Sequence, residues 1–197
     1  SLVLLIGAGL MARSFARLRQ VDPGFRSDHA LMLRVSLPVP GPITDADRAR
    51  FVGYFNRAAA RLRQLPGVVT VGAGSSVPLD GRLGDRLFDM EGYTPPPGAT
   101  SPDAQNRTVG PGWFAALGMS LLEGRLIEDA DDERVPRVVV VNRSFVRTFF
   151  PRGDALGRRI RLGSLGARQF PWATIIGVVG DIRDASLQAS PLPAMYW

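Results

Sequence analysis

The sequence predicts an α+β fold in which two strand–helix–strand units flank an inserted, mainly β stretch, all preceded by the C-terminal half of a transmembrane helix. Three observations predict it. An uncharged, almost wholly apolar run, Leu2–Met11, opens the chain and passes without a turn signal into Arg13, Arg17 and Arg19. A strand, an amphipathic helix and a second strand follow one another between residues 27 and 79, and a similar succession recurs between 137 and 197. From 80 to 136 the texture changes to short strands, loops and one brief helix. The expected divisions are therefore 1–20 for the helix end and its exit, 27–79 for the first portion of a lobe, 80–136 for the insert, and 137–197 for the second portion of that lobe.

The opening run is too short to cross a bilayer alone. A span needs about 20 apolar residues for about 30 Å of hydrocarbon. The run also lacks the basic start of a signal peptide. It reads as the lower half of a span, with Leu2, Val3, Leu4, Leu5, Ile6 and Leu10 in the membrane. Arg13, Arg17 and Arg19 then lie at the interface, where lipid phosphates favour them. Counted locally, these arginines argue for a cytoplasmic exit.

The same residues admit a second reading. Val3–Ile6 followed by Gly7-x-Gly9-x-x-Ala12 matches the strand and glycine turn of a dinucleotide site, which would make the chain an NAD-dependent oxidoreductase. That fingerprint needs an acid near position 28, at the end of the second strand. Asp28 has the offset but precedes its strand, and the strand ends at Leu37-Pro38 with no acid. In the membrane reading, Gly7 and Gly9 are small residues that pack between helices.

Val21-Asp22-Pro23-Gly24 ends the first helix. Leu31–Leu37 reads as a strand with Leu33, Val35 and Leu37 on one face. Pro38–Pro42 is a stiff loop. Thr44-Asp45-Ala46-Asp47 carries a capping pattern, and Phe51, Phe55, Ala58, Leu62 and Leu65 form one apolar stripe expected to pack on a sheet. Arg48, Arg57, Arg61 and Arg63 fall mostly on the wet side. Pro66-Gly67 stops the helix, and Val69, Val71 and Ala73 alternate as a strand.

In the insert, Arg86–Met90 and Asn106–Val109 read as strands, Thr94–Gly98 as a loop, and Pro111–Gly118 as a short helix with Trp113, Phe114 and Leu117 on its apolar side. Its two crossings, near Pro78–Gly81 and Val135-Pro136, both contain proline, which suits an insert that moves as a rigid lobe. Val138–Val141 is a short buried strand. Asn142 can cap a helix from Arg143 to Phe150 that Pro151 terminates. Arg159–Leu162 and Trp172–Val179 complete the strands of the second unit.

Composition narrows the chemistry. The chain has 197 residues, enough for one or two cored domains. With no cysteine, disulfides, thiol catalysis and Cys-ligated zinc are excluded. The net charge is +6 and all 24 basic residues are arginine, scattered without an aromatic-interleaved stripe, so no nucleic-acid partner is expected. One histidine, His29, excludes His-based triads and multi-histidine metal sites. The acidic run Glu128–Glu133 lacks the spacing and glycine of a calcium loop. Ser75-Ser76 has no nucleophile elbow. Asp181 and Asp184 follow a strand and read as its termination and turn. No P-loop occurs. No catalytic residue, cofactor or metal site is expected.

Four segments, in order, resemble one family: Val109-Gly110-Pro111-Gly112-Trp113-Phe114-Ala115-Ala116-Leu117-Gly118-Met119 with Glu123-Gly124-Arg125; Val138–Asn142 with its helix; Phe150–Ile160; and Ile175-Ile176-Gly177-Val178-Val179-Gly180-Asp181-Ile182-Arg183, closed by Pro193-Ala194-Met195-Tyr196. The chain resembles the periplasmic core domain of MacB-like (FtsX-like) ABC transporter permeases, nearest to the duplicated orphan permeases. The resemblance implies a porter-like lobe built from the chain's two ends and an inserted, mainly β lobe. It implies a periplasmic exit for the first helix and a place at the bacterial inner membrane. The implied role is non-catalytic: mechanotransmission or export driven by a separate cytoplasmic ATPase subunit, or else capture of cargo or an adaptor. The implied partners are membrane lipid, the remaining permease helices, that ATPase, and a periplasmic adaptor or second permease copy.

Overall fold

A computed structural model of the chain describes residues 2–19, 21–38, 41, 44–81, 84–96, 98, 100–132, 134–163 and 170–197. Helix α1 (Leu2–Arg19) runs unbroken through the apolar opening. This overturns the dinucleotide reading, because Val3–Ile6 is helical and Gly7 and Gly9 lie mid-helix with open space around them. A fingerprint needs a strand and a tight turn there, so the glycine motif forms no dinucleotide site at this position. The side chains of Leu2, Val3, Leu4, Leu5, Ile6 and Leu10 are all exposed. No described helix is long and apolar enough to cross a membrane. In α1 the apolar stretch gives way to Arg13, Arg17 and Arg19 in the last two turns.

Helix α2 (Asp45–Leu62) starts where the capping pattern places it. Asp47 N–H donates to Thr44 Oγ1 at 3.2 Å, and Thr44 N–H donates back to the Asp47 carboxylate at 3.1 Å. The expected stripe is only partly covered. Phe51, Phe55, Ala58 and Leu62 are half-buried, Leu65 is exposed, and no residue of α2 is buried. The strands expected on either side do not form. Leu31–Leu37 and Val69–Ala73 carry no ladder, and Leu31 and Val69 are 86% and 97% exposed. Alternation makes a strand only where a neighbouring edge satisfies its N–H and C=O groups. Among the described residues the one such tie is an isolated bridge between Gly74 and Val109. The first strand–helix–strand unit therefore yields its helix alone. Val39, Pro40 and Pro42 of the expected loop lie outside the described residues.

The described strands all lie from residue 85 onward and build one sheet. Its strands are β1 (Asp85–Met90), β2 (Asp103–Arg107), β3 (Leu121–Gly124), β4 (Val138–Asn142), β5 (Arg159–Leu162), β6 (Ala173–Val179) and β7 (Ala194–Tyr196). Their order is β3-β6-β4-β7-β2-β1-β5. The pairs β2–β7 and β4–β6 are parallel and the rest antiparallel. The sheet curls until β5 also pairs with the start of β6, at Arg159–Thr174 and Ile160–Ala173, which closes a ring of six strands. Strand β3 takes the remainder of that β6 edge, with Gly124 opposite Gly177. The boundary expected at residue 136 consequently does not separate one sheet from another: β1, β2 and β3 precede it and pair with β5, β6 and β7 beyond it.

Two helices complete the body, α3 (Trp113–Ala116) and α4 (Arg143–Phe149). Asn142 caps α4 as its position predicts, accepting from Phe145 N–H at 2.9 Å. The same side chain accepts from Ala194 N–H at 2.9 Å and donates to Leu192 O at 2.8 Å, so it also fixes the entry to β7. Alternate strand residues feed two cores. Phe88, Val139, Val141, Ile160, Ile175 and Met195 pack with Phe145 of α4 on one face. Val140, Val179, Ile182 and Tyr196 pack with Trp113 and Phe114 of α3 on the other.

Candidate functional site

The short loop after β6, Gly180-Asp181-Ile182-Arg183-Asp184, is where the chain leaving α1 meets the sheet. Valines at 178 and 179 are buried on opposite cores, which fixes where β6 ends and delivers this loop to the α1 side of the body. Asp181, Arg183 and Asp184 then each hold a different part of the chain.

Asp181 takes the N-terminus of α4. Its Oδ1 accepts from Ser144 N–H at 2.7 Å, and Arg147 pairs with Oδ2 at 3.3 Å. An anion at a helix start satisfies orphan N–H groups and suits the helix dipole. The Asp181 carbonyl faces Gly24, whose φ is +78°; a Cβ there would come within 2.0 Å of that oxygen. Only glycine allows the exit segment to lie so close. The preceding Asp22 shapes this turn, its Oδ1 accepting from Gly24 N–H at 2.8 Å.

Arg183 N–H donates to Pro23 O at 2.8 Å, and its guanidinium donates to Ala189 O at 2.7 Å. Ile182, 3% exposed, anchors the loop in the second core, where half-buried Phe25 joins it. One residue further along the exit segment, Arg26 N–H donates to Leu117 O at 2.8 Å, just past α3. The exit from α1 is thus tied at Pro23, Gly24, Phe25 and Arg26 to two separate regions of the sheet body.

Asp184 reaches across the sheet to Arg107 on β2, and the pair is buried, with 2% of the Arg107 and 9% of the Asp184 side chain exposed. A buried pair is strongly interdependent, since removing one partner strands the other charge. Arg107 neighbours Tyr196 on β7 in the ladder. Burial pushes the Tyr196 phenol up from its ordinary value, keeping it neutral beside the pair. The Asp184 carbonyl accepts from Leu79 N–H at 3.1 Å, and Leu79 is held at φ +63°, a strained setting for a branched residue. The first of the two expected crossings is therefore fastened to the same loop.

These contacts place the residues that the sequence points to. Asp181 and Asp184, expected as turn residues, each hold an element distant in sequence. Sequence reasoning misses Arg107; its one signal is an arginine ending an otherwise uncharged stretch, Ala104–Asn106, in a strand. Arg13 and Arg17 are exposed on α1, and Arg19 is its last residue. Arg17 lies beside Arg183, lining one groove with it. His29 is exposed and Ser75 Oγ accepts from Thr108 N–H. In the acidic run, Asp131 forms a two-point pair with Arg125 at 2.6 and 2.7 Å, and Asp132 pairs with Arg134. Glu133 lies outside the described residues.

Three solved structures illustrate what the chain is similar to. The periplasmic region of MacB from Actinobacillus actinomycetemcomitans is 20% identical, with a TM-score of 0.48 over 72% of this chain and 53% of that one. The extracellular domain of the noncanonic ABC-type transporter YknZ from Gram-positive bacteria is 16% identical, with a TM-score of 0.46 over 71% and 59%. A domain of a putative permease protein from Porphyromonas gingivalis is 19% identical, with a TM-score of 0.44 over 70% and 53%. The matched region spans little more than half the length of each. No curated protein matches. Residues 2–193 match the family model of the MacB-like periplasmic core domain, and the chain belongs to that family of periplasmic domains of ABC transporter permeases.

Proposed function

We propose that the chain is a mechanical relay outside the cytoplasm, carrying movement of permease membrane helices into a rigid periplasmic body. The observation that carries this reading is the tie between the α1 exit and the loop after β6: Pro23 O to Arg183 N–H, and Gly24 against Asp181 O. A domain that merely hung from a membrane anchor would need no such tie. Here a shift of α1 reaches Asp181 and, through it, α4, while Asp184 passes it to β2 through Arg107. The curled sheet moves as a unit because its strands share two packed cores.

In this reading Leu2, Val3, Leu4, Leu5, Ile6 and Leu10 are embedded in the bacterial inner membrane, and Arg13, Arg17 and Arg19 meet its surface. Their exposure on all sides of α1 supports a lipid environment. The role is non-catalytic. ATP is hydrolysed by a separate cytoplasmic subunit, and further permease helices receive that work. A periplasmic adaptor or second permease copy takes the output.

The test is a flexible Gly-Ser insertion after Gln20, upstream of the tie, in the assembled transporter. ATP hydrolysis should persist while the transported or signalled output is lost. Undiminished output would sink the relay and favour capture of cargo by the domain.

A further inference from the structure

Where α1 meets the body, a groove of about 360 Å³ opens between its last turns and the segment after the loop. Its polar lining is Ser14, Arg17, Arg183 and Gln188, and Leu18, Val21 and Leu187 add apolar wall; among the described residues no carboxylate lines it. Among the described residues neither arginine has an ion-pair partner, although most arginines of the sheet body do. Arg183 is nonetheless held in place, through Ala189 O and Pro23 O. Two positive charges from different regions of the fold thus share one open groove with hydroxyl and amide groups beside them. That set suits a singly charged phosphate ester that has an apolar tail.

The height of the groove matches. At a rise of 1.5 Å per residue, Ser14 lies about 4.5 Å and Arg17 about 9 Å beyond Met11 along α1. The headgroup layer is roughly 5–8 Å thick on each side, and helical side chains tilt toward the helix N-terminus, which brings the Arg17 side chain back toward that layer. We infer that this groove binds the phosphate of an anionic phospholipid, with Arg17 and Arg183 gripping it from the helix and from the body. The inference rests on the membrane placement of α1 proposed above. A bound headgroup bridges the two sides of the α1 tie and adds lipid as a third participant in the relay.

The experiment is vesicle co-sedimentation of the whole chain with phosphatidylcholine alone and with about a third phosphatidylglycerol. Wild type should bind both, and prefer the anionic vesicles. Arg17→Gln should lose about fivefold of that preference, the factor that corresponds to about 1 kcal/mol per basic residue at an anionic surface, and Arg17→Gln with Arg183→Gln should lose more. Arg57→Gln, which removes an equal charge from α2 outside the groove, should keep it. Arg17 makes no contact that folding requires, so its variant decides the matter even if the double variant is unstable. Equal losses for Arg17→Gln and Arg57→Gln would mean general charge attraction and overturn the site. Calorimetric binding of inorganic phosphate that both groove substitutions abolish, without any vesicle preference, would replace the lipid by a free anion. Failure of wild type to bind either vesicle would instead overturn the membrane placement itself.

Discussion

The backbone N–H of Arg183 donates to the carbonyl of Pro23 at 2.8 Å, joining the segment that leaves α1 to the loop that leaves β6 across 160 residues of chain. Beside it, Gly24 occupies a left-handed conformation against the Asp181 carbonyl. Gly24→Ala must both hold an unfavourable φ, at a cost of roughly 1–2 kcal/mol, and push against backbone that has no room. Gly67, at φ +83° with open space around it, carries only the first penalty. Urea denaturation should show Gly24→Ala lowering the midpoint clearly more than Gly67→Ala. Equal shifts would mean that the exit does not lie on the loop.

The Arg107–Asp184 pair gives a second prediction. Asp184→Ala leaves a buried guanidinium without its partner, a loss of about 3–5 kcal/mol. Asp154→Ala removes an exposed, solvent-screened partner of Arg158 and should shift the urea midpoint far less. A small effect of Asp184→Ala would show that the pair is hydrated and does not lock β2 to the loop.

Helix α2 tests how far its stripe is covered. Phe88 is fully buried, so Phe88→Ala should cost about 3–5 kcal/mol. Phe55 is only half-buried on a helix with no buried residue, so Phe55→Ala should fall well below that. Similar urea midpoints for the two variants would show that α2 is packed as tightly as the sheet.

What can be read in the sequence, and what cannot, follows the range of the interactions. Thr44 with Asp47, and Asn142 with Phe145, are contacts three residues apart, and both helix starts are legible. The run of four valines before Asn142 and the stretch Ala173–Val179 are apolar enough to demand burial wherever they go. Strands β3 and β7 escape the sequence reading because Leu121–Gly124 and Ala194–Tyr196 are too short for a periodic signal and exist through distant partners. The error at Leu31–Leu37 has the converse cause: its alternation is sound, but no described edge completes it. The site is least legible, since Asp184 finds Arg107 from 77 positions away and nothing in either local sequence announces the other.

Asp131 offers a prediction in pH. Its hydrogen bonds from Arg125 hold the carboxyl below its ordinary value of 3.8, outweighing the opposing effect of burial. A carboxyl lowered on folding adds stability above its unfolded value, and the gain is lost as pH falls through the folded one. Wild type should therefore exceed Asp131→Asn in stability at neutral pH, and the gap should close below about pH 4. A gap independent of pH would show that Arg125 does not engage the ionised group.

The most direct test of the relay is a spin-label distance between Ala12→Cys on α1 and Asp154→Cys on the sheet body, measured in the assembled transporter. Both positions are exposed. Wild type should give one narrow distribution, the same without nucleotide and with ATP trapped, because helix and body move together. The Gly-Ser insertion after Gln20 should broaden it. A broad distribution in wild type, or one that the insertion leaves unchanged, would contradict the claim that α1 drives the body through Pro23 and Gly24.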